Sequence, residues 1–222
     1  MLGHRYRSGE GVLQDGKAAA RWYRKAAEQG HADGQNELGG CYFSGIGVEQ
    51  SDEEALLWIT KAAEQGHVEA QNNLGICYGE GKGVTKDIEE GLRWLKSAAA
   101  QLHATSIFSL GYIYHQGRGV ESDAVEAVAW YGAAAELGHA QAQLIMAQIN
   151  FQGGLGLEKN ETAAAEYYRR AAEQGVAQAC TVLGFLYQNG RGVAQSDADA
   201  TWWYRKAADW GDAAAMTNLG FM

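Results

Sequence analysis

Four histidines, His31, His67, His103 and His139, recur every 36 residues and are the first candidates for chemistry. A zinc site needs its ligands within ~2 Å of one ion. Side chains one structural period apart cannot converge in that way, so these histidines read as corner residues. His115 does not repeat, and no Cys, Asp or His accompanies it on its face. The paired glycines, such as Gly117-Arg118-Gly119 and Gly190-Arg191-Gly192, invite a phosphate-cradle reading. They lack the preceding strand and the third, helix-opening glycine that such a cradle requires, so they read as loops with exposed arginines. Asn160-Glu161-Thr162 matches a glycosylation sequon but stands at a helix start, where Asn caps well. Cys41, Cys77 and Cys180 are too few and too scattered for a disulfide framework and read as buried free thiols. No nucleophile elbow, metal motif or isolated buried carboxylate pair is recognisable. No catalysis, metal or cofactor is expected.

The elements that carry these residues follow from composition and internal repetition. Of the 222 residues, 46% are hydrophobic and 20% charged, which is a globular balance, and 30 glycines accompany no proline. Helices that stop often at left-handed glycine caps fit that pair of numbers. The net charge of -9 and the absence of a Lys/Arg cluster argue against nucleic acid. No apolar stretch is long enough to span a membrane. The first residues lack a secretory signal pattern. Free-thiol usage leans cytoplasmic, with a periplasmic or secreted location open if a signal was removed.

Leu-Gly recurs at residues 2, 38, 74, 110, 183 and 219, and Met146-Ala147 fills the gap. The step is 36 residues except after Met146, where Gly153-Gly-Leu-Gly156 adds one. Tyr6, Tyr42, Tyr78, Tyr114 and Tyr187 follow the leucine by four, with Asn150 the exception, and loop glycines recur in register. Trp22, Trp58, Trp94, Trp130, Tyr167 and Trp203 form a further rank. Each unit reads as two helices. Helix A is exemplified by Ala32–Phe43. Helix B runs from about Ser51, a plausible N-cap, to Gln65, with Gly66 closing it. One hairpin cannot bury its apolar face alone, so the units must stack. The prediction is an all-α, α/α solenoid of about six stacked 36-residue helix hairpins forming one superhelical domain over 1–222. Its units are 1–31, 32–67, 68–103, 104–139, 140–175 and 176–211, with a partial unit at 212–222. Handedness does not follow from the sequence. Trp94 is expected in the core. Both ends fall within a helix A, which leaves two readings: a piece of a longer array, or ends that stack on a partner or a second copy.

The pattern Leu-Gly-x-x-Tyr-x-x-Gly-x-Gly-Val followed by Ala-x-x-Trp-Tyr-x-Lys-Ala-Ala-Glu-Gln-Gly-His-Ala closely resembles the Sel1-like repeat family, which is similar to tetratricopeptide repeats. Arg21–Ala32 and Gln71–Tyr78 carry it best. Proline is missing from the Val12-Leu-Gln-Asp15 and Val84-Thr-Lys-Asp87 loops, where the family often has Val-Pro-x-Asp. Cys41 and Cys77 occupy equivalent places in adjacent repeats, which is beyond disulfide reach and unlike the family's stapled members. The resemblance implies a non-catalytic adaptor that binds a peptide or partner protein along the concave helix A surface.

By tetratricopeptide analogy the variable positions fall five and two before the leucine, then two, five and six after it. The resulting site is Asn36, Phe43, Asn72, Ile76, Phe108, Tyr112, His115, Gln116, Gln148, Phe151, Phe185 and Gln188. Asn36 and Asn72 are read as an amide ladder for an extended backbone. Phe108, Tyr112, Phe151 and Phe185 beside Gln116, Gln148 and Gln188 are read as aromatic anchors ringed by amides. Packing between A helices is the competing account for Phe151 and Phe185. Two other functions stay open: end-to-end self-assembly, and a weak ligand-binding or hydrolytic activity that no residue here supports.

Overall fold

The structure, a computed structural model, describes residues 2–222. It is all-helical apart from one isolated bridge, Gly154–Leu157, in the lengthened loop. The described residues form thirteen helices: α1 (Leu2–Ser8), α2 (Gly16–Glu28), α3 (Ala32–Ser44), α4 (Asp52–Glu64), α5 (Val68–Glu80), α6 (Ile88–Ala100), α7 (Ala104–Gln116), α8 (Ala124–Glu136), α9 (Ala140–Gln152), α10 (Glu161–Glu173), α11 (Ala177–Asn189), α12 (Asp197–Asp209) and α13 (Ala213–Gly220). Odd-numbered helices are A and even-numbered ones B. The chain divides into two compact units, Met1–Ser106 and Ile107–Met222, and within each consecutive helices pack on one another.

The local sequence closes each hairpin in one repeated way. Asp15, Ser51, Asp87, Asp123, Asn160 and Ser196 are the N-caps of the B helices, each accepting a backbone N–H of the first turn with its side chain. The backbone N–H of each cap also donates to the carbonyl of the rank four residues after Leu-Gly, for example Ser51 to Tyr42 and Asn160 to Asn150. Asn160 is thus a cap, as its position implied. Glycine ends most helices in the left-handed region, but Leu102 occupies that place after α6 with φ +60° and is mostly exposed. An L-residue there carries a steric cost that glycine avoids.

In each unit the core lies along the A/B seam. The leucines Leu38, Leu74, Leu110 and Leu183 are fully buried. The tryptophan rank is displaced from its expected place. Trp58, Trp94 and Trp130 are half-buried and Trp22 is exposed, with Trp203 alone buried. The buried side chain is the next residue in each case: Tyr23, Ile59, Leu95, Tyr131, Tyr168 and Tyr204. The glycine after each leucine explains the shift. A Cβ on Gly39, Gly75, Gly111 or Gly184 would meet Ile59, Leu95, Tyr131 or Tyr204 at 2.5–2.8 Å. The missing methyl is the socket into which the helix B side chain is pressed. Trp94, expected inside, instead flanks the cluster of Ile59, Ala62, Ala63, Ala70 and Leu74.

Buried glutamines stitch neighbouring helices. Gln35 donates to the Ala27 carbonyl of the preceding B helix and accepts from Gln65 at the end of its own. Gln71 with Ala63 and Gln101, and Gln143 with Ala135 and Gln174, repeat the arrangement. In the fourth repeat both partners change together, to Ile107 and Leu137. An unpaired buried amide costs about 1–3 kcal/mol, whereas replacing both partners by apolar groups approaches neutrality. Gln101→Leu alone, which leaves the buried Gln71 amide oxygen without its donor, is therefore expected to lower stability by ~1–3 kcal/mol, and Gln101→Leu with Gln71→Ile to recover most of it. Denaturant midpoints for the two variants check this. Leu102→Gly is expected to raise the midpoint by the equivalent of ~1 kcal/mol, since it relieves the left-handed residue; an unchanged or lower midpoint contradicts the strain.

Candidate partner-binding face

Within each unit an A helix packs against the B helices that precede and follow it, so only part of its circumference stays open. The rank two residues before the leucine turns inward. Asn72 is buried at 5% exposure and its side-chain carbonyl accepts from Ser106 Oγ at 2.8 Å. Asn36 is half-buried and accepts from Asn73 Nδ2 at 3.2 Å. The expected Asn36–Asn72 ladder is therefore corrected: Asn72 is committed to its neighbouring helix. Phe108 is likewise a packing residue, stacked on the His139 ring with centroids 4.4 Å apart and tilted against Tyr131 at 5.7 Å.

The rank five residues after the leucine faces its own B helix or is covered. His115 Nδ1 lies 3.3 Å from Tyr131 Oη, and the two rings meet edge to face. Gln188 accepts from Tyr204 Oη at 3.0 Å. Phe151 sets its edge on Tyr168 and carries the Arg191 guanidinium 4.3 Å above its ring. Phe43 is half-buried beneath Lys82 Nζ at 4.1 Å. Phe151 is thus a packing residue, set against helix α10 and the Arg191 loop and not between A helices as the competing account had it.

What stays open is the rank two after the leucine. In the second unit this is Tyr112, 37% exposed, Gln148, half-buried, and Phe185, 39% exposed, flanked by the exposed Gln116. In the first unit the same rank holds Gly40 and Ile76, the latter 38% exposed. Tyr112 is held from one side by Arg118, whose guanidinium lies 4.8 Å from the ring and donates to its hydroxyl. An aromatic row bordered by amides can bury apolar area and pair a backbone at once.

The corner histidines act as N-caps of the A helices. His67 and His139 accept the first-turn N–H of Ala70 and Ala142 at Nδ1. The Nε2 atoms of His67 and His103 pair with Asp33 and Glu69 of the preceding repeat at 3.0 and 3.2 Å. This engages the acidic end of the helix A face in the first unit. Their recurrence was visible in the sequence; the carboxylate partners also recur 36 residues apart, and that spacing was the overlooked signal.

The Gly-x-Gly loops make the seams between repeats. The second glycine sits on the first turn of the preceding B helix: Gly47 on Gly16, Gly83 on Asp52, Gly192 on Glu161. A Cβ on Gly83 would lie 2.6 Å from the Asp52 carbonyl oxygen. The residue between the glycines completes the clasp. Arg191, read from sequence as freely exposed, donates through Nε and Nη2 to Glu161 Oε1, where Lys159 Nζ also pairs at 2.7 Å. Those hydrogen bonds, Arg191 first and Lys159 second, hold the Glu161 carboxyl down at about 2 against an ordinary 4.5. All three cysteines are free and buried, and burial pushes the Cys77 thiol up to about 11.

Because the folded state lowers the Glu161 value, its clasp is fully present above about pH 4.5 and is lost only as pH falls through about 2. Carboxyl NMR titration is expected to give a Glu161 midpoint near 2. Arg191→Ala should move that midpoint back toward the ordinary carboxylate range. An ordinary midpoint in the unaltered chain contradicts the clasp.

The family described as Sel1 repeat matches residues 1–31, 32–67, 68–101, 104–139, 140–176 and 177–212. A Sel1 repeat protein from Oxalobacter formigenes superposes with a TM-score of 0.90 at 32% identity, over 99% of this chain and 63% of that one. The uropathogenic Escherichia coli protein c5321, described as a protective antigen displaying an SLR fold, gives 0.63 at 36% identity, over 99% of this chain and 55% of that one. The immunity protein Pa5087 of Pseudomonas aeruginosa shares the fold, with a TM-score of 0.57 at 19% identity over 95% of this chain and 82% of that one. The chain therefore spans 63% and 55% of the lengths of the first two relatives. Among curated proteins no match is found.

Proposed function

Since this chain belongs to the Sel1 repeat family, whose members are generally non-enzymatic protein-interaction scaffolds, we propose that it binds a peptide or partner protein through the helix A face of its second unit. The observation that carries the reading is the open register of Tyr112, Gln148 and Phe185. Three equivalent positions combine two large exposed rings with an amide, while Phe108, His115, Phe151 and Gln188 beside them are engaged in packing or hydrogen bonds. Phe108, His115 and Phe151 support the face from behind instead of contacting the partner.

Centrally placed aromatic residues of an interface commonly contribute about 2 kcal/mol or more each, roughly 30-fold in affinity. A photo-crosslinking residue at 112 or 185 is expected to capture one protein, and the same residue at the exposed position 198 is not. Tyr112→Ala with Phe185→Ala should abolish binding of the captured protein while the circular dichroism stays helical. Undiminished affinity of that double variant overturns the assignment.

Self-association is a second reading, favoured by the exposed apolar side chains Trp202, Trp210, Met216 and Phe221 on and beside α12 and α13. A monomeric mass by light scattering at high concentration rejects it.

A further inference from the structure

The outer side of the first unit carries a groove unlike its counterpart in the second. It encloses about 450 Å³ between α2 and the loop after α3, lined by Lys17, Ala20, Arg21, Arg24, Tyr42, Gly47, Val48 and Glu49. The equivalent groove between α10 and the loop after α11 encloses about 430 Å³. The floor is the same in both, alanine against Gly-Val. The polar lining differs: Lys17 stands where the second unit has Thr162, Arg21 where it has Glu166, and at the rim Glu49 where it has Ala194.

That exchange makes the first groove net positive, with Lys17, Arg21 and Arg24 against Glu49, where the second is neutral, with Arg169 against Glu166. In the second unit Glu166 takes the Arg169 guanidinium at 2.8 Å and also pairs with Arg170. In the first, neither Lys17, Arg21 nor Arg24 has an ion-pair partner among the described residues. Arg24 is held in place by donating to Tyr42 Oη at 2.7 Å. Helix α2 thus holds four basic residues, Lys17, Arg21, Arg24 and Lys25, against the single Glu28, in a chain whose net charge is -9.

We propose that this groove docks an acidic protein segment. Lys17, Arg21 and Arg24 are spaced i, i+4, i+7 on one face of α2 and so line about 10 Å of its length. Lys17 and Arg21, about 6 Å apart along the helix axis, suit carboxylates on alternate residues of an extended chain, ~6.6–6.8 Å apart. A guanidinium already oriented by Tyr42 loses little freedom when it takes a carboxylate. The apolar floor of Ala20 and Val48 suits a polypeptide more than a phosphodiester, and the acidity of the rest of the chain repels a long polyanion. The site lies on the B-helix side and is independent of the helix A reading.

The test uses the whole chain and a fluorescein-labelled peptide of alternating Glu and Ala, followed by anisotropy at low and at physiological salt. One site per chain is expected, weakening as salt rises. The double variant Lys17→Thr with Arg21→Glu, which copies the second unit's lining at exposed positions, should weaken binding at least tenfold with unchanged circular dichroism. The reciprocal Thr162→Lys with Glu166→Arg should create a second site. Three results overturn the proposal: no binding of the peptide by the unaltered chain, undiminished binding by the first double variant, or equal displacement by an oligothymidine of the same charge.

Discussion

In all but one of the hairpins, the one with Ala147, a helix B side chain is pressed against a place where helix A has no side chain at all. Gly39 receives Ile59, Gly75 receives Leu95, and Gly111 and Gly184 receive tyrosines. This close approach sets the distance between the two helices. It also fixes the rotation of helix B, because only one residue of the Trp-Tyr pair can face the socket. The tryptophan is then turned to the flank. The rotation of helix A follows as well: with leucine and glycine against B, the rank five residues on swings toward the tyrosine hydroxyls and the rank two residues on is left outside. The exposed register of Tyr112, Gln148 and Phe185 is in this sense a by-product of where the glycine sits.

The seams between hairpins rest on polar chemistry instead. Glutamine amides, capping histidines and loop cations each bridge one repeat to the next. Such contacts are directional, so they set register where apolar packing alone would tolerate slippage. The fourth repeat shows the alternative, with Ile107 and Leu137 in the glutamine positions. Surface ion pairs of this kind contribute little each, and the Arg191–Glu161–Phe151 clasp gains by combining a charge pair with a ring contact.

Much of this was legible in the residues. The period, the hairpin, the caps at Ser51 and Asn160, the terminating glycines and the free thiols all follow from local rules that tertiary contacts do not override. Adjacent apolar residues were another matter. Trp94 and Leu95 lie only about 100° apart on a helix, and amphipathic spacing cannot choose between them; the choice belongs to the glycine across the interface. Asn72 was misjudged because a polar residue at a variable position looks solvent-facing, while its partner Ser106 lies 34 residues away. The glutamine stitches were in plain view as recurrences, but their polarity concealed their burial. In the sequence Tyr112 reads as surface-facing and Phe185 as either surface-facing or packed between A helices; they are 37% and 39% exposed.

The loop glycines have one more consequence. Gly47, Gly83 and Gly192 each seat on the first turn of the B helix of the preceding repeat, and the groups that meet there are mostly backbone. A seam built from backbone is indifferent to which unit supplies either side. Whole modules joined by such a seam can therefore be inserted, removed or exchanged with that junction intact, whereas a change by a fraction of a module mismatches both neighbours. The geometry thus makes array length adjustable in steps of one hairpin, and leaves the side chains on the open faces to diverge independently of that count.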